Sequence, residues 1–290
     1  PHLPVTPRSM PSPVRGRSPD PILLYLLATA LALAGPVRAA ETGSAPDQIF
    51  RDATFAELAQ LTIISVSKSE EKYFDTAAAV HVITGDEIRR SGAMTLPDAL
   101  RLAPGMEVGM VNSRTFAITM RGFNGTSANK LLPLIDGRSL YSLRFAGTIW
   151  DIRDLPLDDV AQIEVIGGPG GTTWGANAVN GVINIITKSA RDTVGSQIST
   201  VAGTYQQGML YARQGVALSP HSWARVYVKA FARDDSEPVN VADNHDDWSQ
   251  VRAGFRYDRD AGDSNHTMAT GSVFFSEGDQ LVSGLPDIAR

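Results

Sequence analysis

Two patterns of apolar and polar positions divide this chain. Between Ala77 and Lys188, short apolar runs alternate with helix start and stop signals. Val80–Ile83 is a β-branched run that predicts a strand. Thr84 stands three residues before Glu87, a capping box that predicts a helix through Arg90, with Gly92 to stop it. Thr95 and Asp98 repeat the device, and Pro97 is tolerated in the first turn of a helix reaching Leu102. Pro104-Gly105 then turns the chain into predicted strands near Met106–Val111 and Thr115–Arg121. Leu131–Ile135 is a nearly continuous apolar run, so it predicts a buried strand, and Asp136-Gly137 supplies the turn that ends it. Ile163–Ile166 and Val182–Thr187 are two more strand signals, joined by a Gly-rich connection. A block of roughly 110 residues can bury one core unaided.

Past Ala190 the helix signals vanish and long alternating segments begin. Five stand out: Ser196–Tyr205, Met209–Leu218, Trp223–Arg233, Val251–Asp258 and Thr267–Phe275. In the third, Ala224, Val226, Val228, Ala230 and Ala232 fall on one face, and Arg225, Tyr227, Lys229 and Arg233 on the other. In the fourth, Val251, Ala253, Phe255 and Tyr257 alternate with Arg252, Gly254 and Arg256. Segments of about 10 residues with one apolar and one polar face suit the lipid and lumen sides of a membrane barrel. A soluble sandwich alternates in the same way, with strands of about 5–6 residues. On these segments alone both readings stay open.

The N-terminus follows a third grammar. Pro1–Ser9 has no periodicity, and Met10 reads as the start. Arg15 and Arg17 precede the apolar run Ile22–Leu33, which Gly35-Pro36 breaks. Val37-Arg38-Ala39 then offers a small-x-small cleavage site, so residues 1–40 read as an export signal and the residues before it. Arg8, Arg15, Arg17 and Arg38 against Asp20 give this leader a charge of +3, and subtracting that from the total of −5 leaves −8 for residues 41–290. Phe50, Phe55, Leu58 and Leu61 are spaced as a short amphipathic helix. Ile63–Ser67 reads as extended chain, followed by the charged run Lys68–Lys72. An acidic balance argues against nucleic acid as the partner. The absence of cysteine removes disulfides, thiolate metal sites and cysteine nucleophiles.

Four motifs, in order, carry a family resemblance. They are Ile118-Thr119-Met120-Arg121-Gly122-Phe123, Leu134-Ile135-Asp136-Gly137-Arg138, Ile163-Glu164-Val165 with Gly168-Pro169-Gly170, and the run Trp174-Gly175-Ala176-Asn177-Ala178-Val179-Asn180-Gly181 through Thr187. With these, residues 61–190 resemble the plug domain of TonB-dependent outer-membrane receptors, the energised importers of Gram-negative bacteria. The resemblance implies an α+β plug domain followed by antiparallel transmembrane β-barrel strands. The five strands would be the beginning of a plugged 22-stranded barrel. The organisation it implies is an export signal in 1–40, an N-terminal segment in 41–72, the plug in 73–190 and barrel strands in 191–290.

The same resemblance assigns roles. Leu61, Thr62, Ile63, Ile64, Ser65, Val66 and Ser67 sit where the family carries its TonB box, a stretch that pairs with an edge strand of the TonB C-terminal domain. The family's ligand-facing apices fall at the loops Val111–Phe116 and Tyr141–Ile149. There Asn112, Ser113, Arg114, Tyr141, Arg144 and Phe145 offer cationic, hydroxyl and aromatic groups to a ligand of the siderophore or cobalamin class. Where the family usually has an arginine before Gly-Pro, this chain has Gly167, so the plug–barrel ionic contact is expected to rest on Arg121. Barrel strands imply outer-membrane lipid as a further partner.

Catalytic motifs are missing. No H-E-x-x-H, G-x-S-x-G or G-x-x-x-x-G-K-[ST] occurs, and after Gly168 and Gly170 it is Thr173 that stands where G-x-G-x-x-G needs its last glycine. The expectation is a transporter that is not an enzyme and has no cofactor and no metal site. Asp243-Asn244-His245-Asp246-Asp247 supplies oxygen ligands of the kind calcium takes, but without the glycine and terminal glutamate of an EF-hand, so it reads as a solvated loop. The competing class is a soluble periplasmic binding or interaction module with a β-sandwich after residue 190.

Overall fold

The computed structural model describes residues 62–63, 71–72, 79–126, 128–168, 174–236, 246–262 and 265–278. Thr62–Ile63 (β1) and Glu71–Lys72 (β2) form a short antiparallel pair. The predicted helix over Phe50–Leu61 and the export signal lie outside the described residues.

The first body is an α+β unit. Its strand β3 (Ala79–Thr84) leads into α1 (Gly85–Ser91) through the expected capping box, with Glu87 N donating to Thr84 Oγ1 at 3.2 Å and Thr84 N donating to Glu87 Oε2 at 2.7 Å. These bonds satisfy N-terminal groups that the helix itself leaves open. Thr95 and Asp98 cap α2 (Leu96–Leu100) in the same way. This helix stops short of Leu102, because the following amides turn to three-residue bonds, Leu102 N to Ala99 O and Ala103 N to Leu100 O.

A hairpin of β4 (Met106–Met110) and β5 (Phe116–Met120) follows, then β6 (Leu131–Ile135), β7 (Arg138–Ser139), β8 (Val160–Gly167) and β9 (Gly181–Thr187). The main sheet has the order β3-β8-β9-β6-β7, antiparallel except for the β6–β9 pair. At the β6–β7 turn, Asp136 and Gly137 both have positive φ, 47° and 77°, as a two-residue hairpin turn of the favoured twist requires. The β7 strand is an addition that the sequence pattern did not show.

This sheet is buried on both faces, which is why its strands read as continuous apolar runs. Ile183 and Ile185 pack with Ile83, Ile88, Leu96, Leu100, Ile118, Val160 and Ile163 on one side. Val182 packs with Leu132, Leu134, Ile166 and Ala178 on the other. Each such side chain contributes about 1.5–3 kcal/mol by leaving water, so the core dominates the stability of this body.

The second body is a meander of five antiparallel strands: β10 (Gly195–Val201), β11 (Gly208–Ser219), β12 (Ser222–Arg233), β13 (Trp248–Asp260) and β14 (His266–Gly278). All five predicted segments are strands. The first is shorter than expected, because Tyr205 belongs to the connection, where its carbonyl accepts from Asp234 N at 2.9 Å. The last two are longer than their apolar cores suggested, since the ladder runs on through the polar pairs from Asp260↔His266 to Trp248↔Gly278. In this wall of strands, Gly215 lets the chain just before β10 pass closely: a Cβ there would lie 1.9 Å from the Thr193 carbonyl oxygen. Any side chain at Gly215 would push the start of β10 off its register.

Candidate functional site

The alternation of β12 and β13 sorts their side chains into two opposite environments. Val226, Phe255 and Val273 point outward and are exposed, as is Phe275 on the last strand. Arg225, Lys229, Arg233, Arg252 and Arg256 point inward and are buried against the α+β body. So many cations on an inner face need partners, because an isolated buried charge costs several kcal/mol.

The first body supplies the partners along one seam. Near one end of the wall, Arg233 Nη1 donates to the Ser113 carbonyl at 3.1 Å and its guanidinium lies 5.4 Å from the Trp248 ring centre. Further along, Gln250 Nε2 donates to the Asp151 carbonyl at 3.3 Å and Arg252 Nη2 to the Ile152 carbonyl at 2.9 Å. On the rung that pairs Lys229 with Arg252, Lys229 Nζ meets Asp154 Oδ2 at 2.7 Å. Below it, Arg213 Nη1 meets Asp159 Oδ1 at 2.6 Å and Arg225 Nε lies 3.7 Å from Asp159 Oδ2. At the far end, Arg256 reaches Asp136 at 3.6 Å, its strand neighbour Asp258 at 2.7 Å and Thr187 Oγ1 at 2.5 Å. Asp258 also accepts from Ala190 N at 2.6 Å. The segment 151–159 thus runs down the wall rung by rung.

The seam lies in a positive field. Burial, then the neighbouring Arg213, lowers the pKa of Lys188, with Asp159 and Asp158 opposing. Burial also lowers the pKa of Arg153, helped by Arg138 and Arg252. Asp151 moves upward, because burial outweighs the bond from Ile152 N and the attraction of Arg114.

The residues expected to face a ligand separate into two sets. Ser113 is fully buried, with its N–H donating to Asp246 Oδ2 at 2.6 Å and its hydroxyl to the Asp246 carbonyl, so it anchors the 111–115 loop to the wall. Asn112 Oδ1 accepts from Thr115 N at 2.7 Å and shapes the same loop. Arg114 Nη1 donates to the Gly278 carbonyl at 3.4 Å. Arg144 and Phe145 are exposed and stacked on each other, with 5.5 Å from guanidinium to ring centre. Tyr141 is half-buried at the base of their loop.

Of the seven residues from Leu61 to Ser67, only Thr62 and Ile63 are described, and they pair with Lys72 and Glu71. Within the acidic loop Asp243–Asp247, residues 243–245 lie outside the described residues. The Asp246 carboxylate takes bonds from Ser113 N, Ser236 N and Ser236 Oγ.

Residues 72–182 match the family model of the TonB-dependent receptor plug domain. The chain carries a TonB-dependent receptor plug domain. It is 35% identical over 147 residues to the vitamin B12 transporter BtuB of Vibrio vulnificus strain CMCP6, covering 50% of this chain and 23% of that one. To the vitamin B12 transporter BtuB of Vibrio cholerae (O395) it is 30% identical over 207 residues, covering 70% of this chain and 32% of the transporter. The chain therefore spans a third or less of these relatives.

Among solved structures, the ferric-catecholate import receptor Fiu from E. coli K12 superposes with a TM-score of 0.57 at 21% identity, covering 74% of this chain and 29% of Fiu. The pyoverdine outer membrane receptor FpvA from Pseudomonas aeruginosa PAO1 gives 0.56 at 17%, covering 75% and 30%. These likenesses show the fold: a plug with the antiparallel strands of a plugged barrel receptor.

Against the plug, the wall face is cationic, and the acids Asp136, Asp154 and Asp159 belong to the plug. The sequence reading expected the reverse polarity, a plug arginine facing barrel acids. Arg121 has φ 60° and lies over the glycine pair, with its Nη2 3.3 Å from where a Gly167 Cβ would stand. Each ion pair found between plug and wall among the described residues is made by other residues. The cue for this seam was in the sequence, as Arg225, Lys229 and Arg233 recur at every fourth position on one strand face.

Proposed function

We propose that this chain forms the plug and first wall strands of an outer-membrane importer, driven by TonB, for a scarce ligand of the siderophore or cobalamin class. The observation that carries this reading is the seam. A folded plug sits on the inner face of strands whose outer face is apolar and exposed, and charge pairs join the two. A soluble module would have to leave Val226, Phe255, Val273 and Phe275 in water, whereas a membrane barrel places such residues in lipid.

In this reading the strand ends at Val201 and Arg233 lie at the extracellular end, because outer-membrane barrels keep short turns, such as 220–221 between β11 and β12, on the periplasmic side. The 111–115 loop, docked through Ser113 beside Arg233 and Asp246, then faces the outside with Arg114. The segment Leu61–Ser67 engages TonB by strand addition, and residues 1–40 direct export and are cleaved. The energy comes from the inner membrane, so the chain needs no catalytic residue or cofactor.

The test is uptake of labelled ferric siderophores and of cobalamin by cells carrying the full-length receptor, with and without TonB. Accumulation of one ligand that disappears without TonB is the expected result, and Ile64→Pro should abolish it while leaving surface binding intact. Uptake of none, or uptake indifferent to TonB, would reject the reading.

A further inference from the structure

The wall carries more positive charge than the plug neutralises. Arg213, Arg225, Lys229, Arg233, Arg252 and Arg256 line its inner face, but the ion-pair partners found for them among the described residues are Asp136, Asp154, Asp159 and Asp258. Arg233 and Arg252 are bonded instead to neutral oxygens: the Ser113 carbonyl and Gln206 Oε1 for one, the Ile152 carbonyl and Ser272 Oγ for the other. The buried Nε groups of Arg213 and Arg252 have no hydrogen-bond acceptor among the described residues, and that of Arg225 has Asp159 Oδ2 at 3.7 Å, beyond hydrogen-bond reach. These donors are oriented and held without being satisfied, which is a poor arrangement for stability alone.

Two features give the excess a direction. The cations are spread along the wall, since Arg225 and Arg233 are eight residues apart on one strand, roughly 27 Å at about 3.4 Å per residue. Three of the four acids belong to the plug, two of them to segment 151–159. If that segment moves, Asp154 and Asp159 leave with it, and the wall cations keep only Asp136 and Asp258. A row of like charges on a low-dielectric wall focuses the field along its length.

We propose that the inner face of β11, β12 and β13 is a track for an oxyanion-bearing ligand, which takes the places of Asp154 and Asp159 when the plug segment withdraws. Guanidinium groups suit this role, because they bind carboxylate- and phosphate-like groups through paired donors without losing their charge. The plug carboxylates then act as resident stand-ins for the passing anion. They keep the track occupied at rest and compete with the ligand for it during passage. The proposal rests on the import reading, and within it selects anionic over neutral ligands.

The test places a reporter under the plug. Gln250 is almost fully buried on the inner face, one inward position from Arg252. Gln250→Cys is made in the full-length receptor with any other cysteines removed. Energised cells are then treated with an anionic sulfonate and a cationic trimethylammonium thiosulfonate, each rate normalised to that with a free thiol. The expected result is labelling roughly fivefold faster with the anionic reagent, the scale of a modest electrostatic steering effect. Adding Arg252→Gln should reduce that ratio at least about twofold.

A ratio at or below one, or no labelling in energised cells, overturns the track. Labelling that favours the anion but is the same without TonB supports the track and rejects energised import. The two ideas can therefore fail separately.

Discussion

Lys229 Nζ on strand β12 lies 2.7 Å from Asp154 Oδ2 on the plug, and the two side chains keep only 3% and 2% of their exposure. Lys229 also faces the Leu155 carbonyl at 3.5 Å. Removing one member leaves the other as an unpaired buried charge, at a cost of about 3–5 kcal/mol. Lys229→Met should therefore lower the denaturant midpoint for protease protection of the plug. Lys229→Met with Asp154→Leu should recover much of the loss, because no lone charge remains. A double variant no better than the single one would show that the pair does not couple plug to wall.

Acid should act through Asp151. Burial raises its pKa above the ordinary 3.8, so the folded plug holds this proton more tightly than the unfolded chain does. The contribution to stability is full below 3.8 and is lost as pH climbs through the raised value. Asp151→Asn keeps an oxygen for Ile152 N, whose present bond is 2.8 Å, and removes the titration. Denaturation curves of wild type and variant across that window should diverge, with the variant gaining relative stability as pH rises. Parallel curves would place the titration elsewhere.

The two sets of predicted ligand residues should respond differently to alanine. Ser113→Ala removes one hydroxyl bond to the wall but leaves the backbone bond to Asp246, and a buried bond of this kind is worth roughly 0.5–1.5 kcal/mol. Its effect should appear in plug protection, with ligand affinity nearly unchanged. Arg144→Ala with Phe145→Ala should do the reverse, weakening surface binding about tenfold or more if these exposed groups hold the ligand. Equal binding by wild type and the Arg144/Phe145 variant would remove that loop from the site.

Gly167→Arg tests what occupies the place of the family's usual arginine. A Cβ at Gly167 would stand 3.3 Å from both Arg121 Nη2 and Met120 Sδ, the flexible ends of two side chains. The new side chain should therefore fit by displacing Arg121, with the fold preserved. Plug release under TonB pulling should then slow, read as slower uptake and longer plug protection. Unchanged uptake together with unchanged protection would sink the idea.

The sequence made some of this legible and hid the rest for physical reasons. Thr84–Glu87 and Thr95–Asp98 are local devices, so both helices were readable at their starts. The strands after Ala190 were readable because an exposed apolar side and a plug side impose a strict period of two. The cationic side of the seam shared that legibility, but its acids did not, because the partner of Lys229 is 75 residues away and comes from a turn with no periodicity of its own. Ser113 misled for a related reason. A serine in a polar loop looks ligand-facing until Asp246, 133 residues further on, is seen to close over it.

The direction of the seam has a mechanical consequence. Lys229–Asp154 and Arg213–Asp159 lie one below the other along the strands, so they form a joint whose strength depends on how it is loaded. A pull along the strands strains both bonds together, as in a lap joint under shear. A pull that lifts one end of segment 151–159 inward breaks them in succession, as in peeling tape, and each step needs far less force. The same pairs can therefore hold the plug firmly against one direction of pull and release it readily along another.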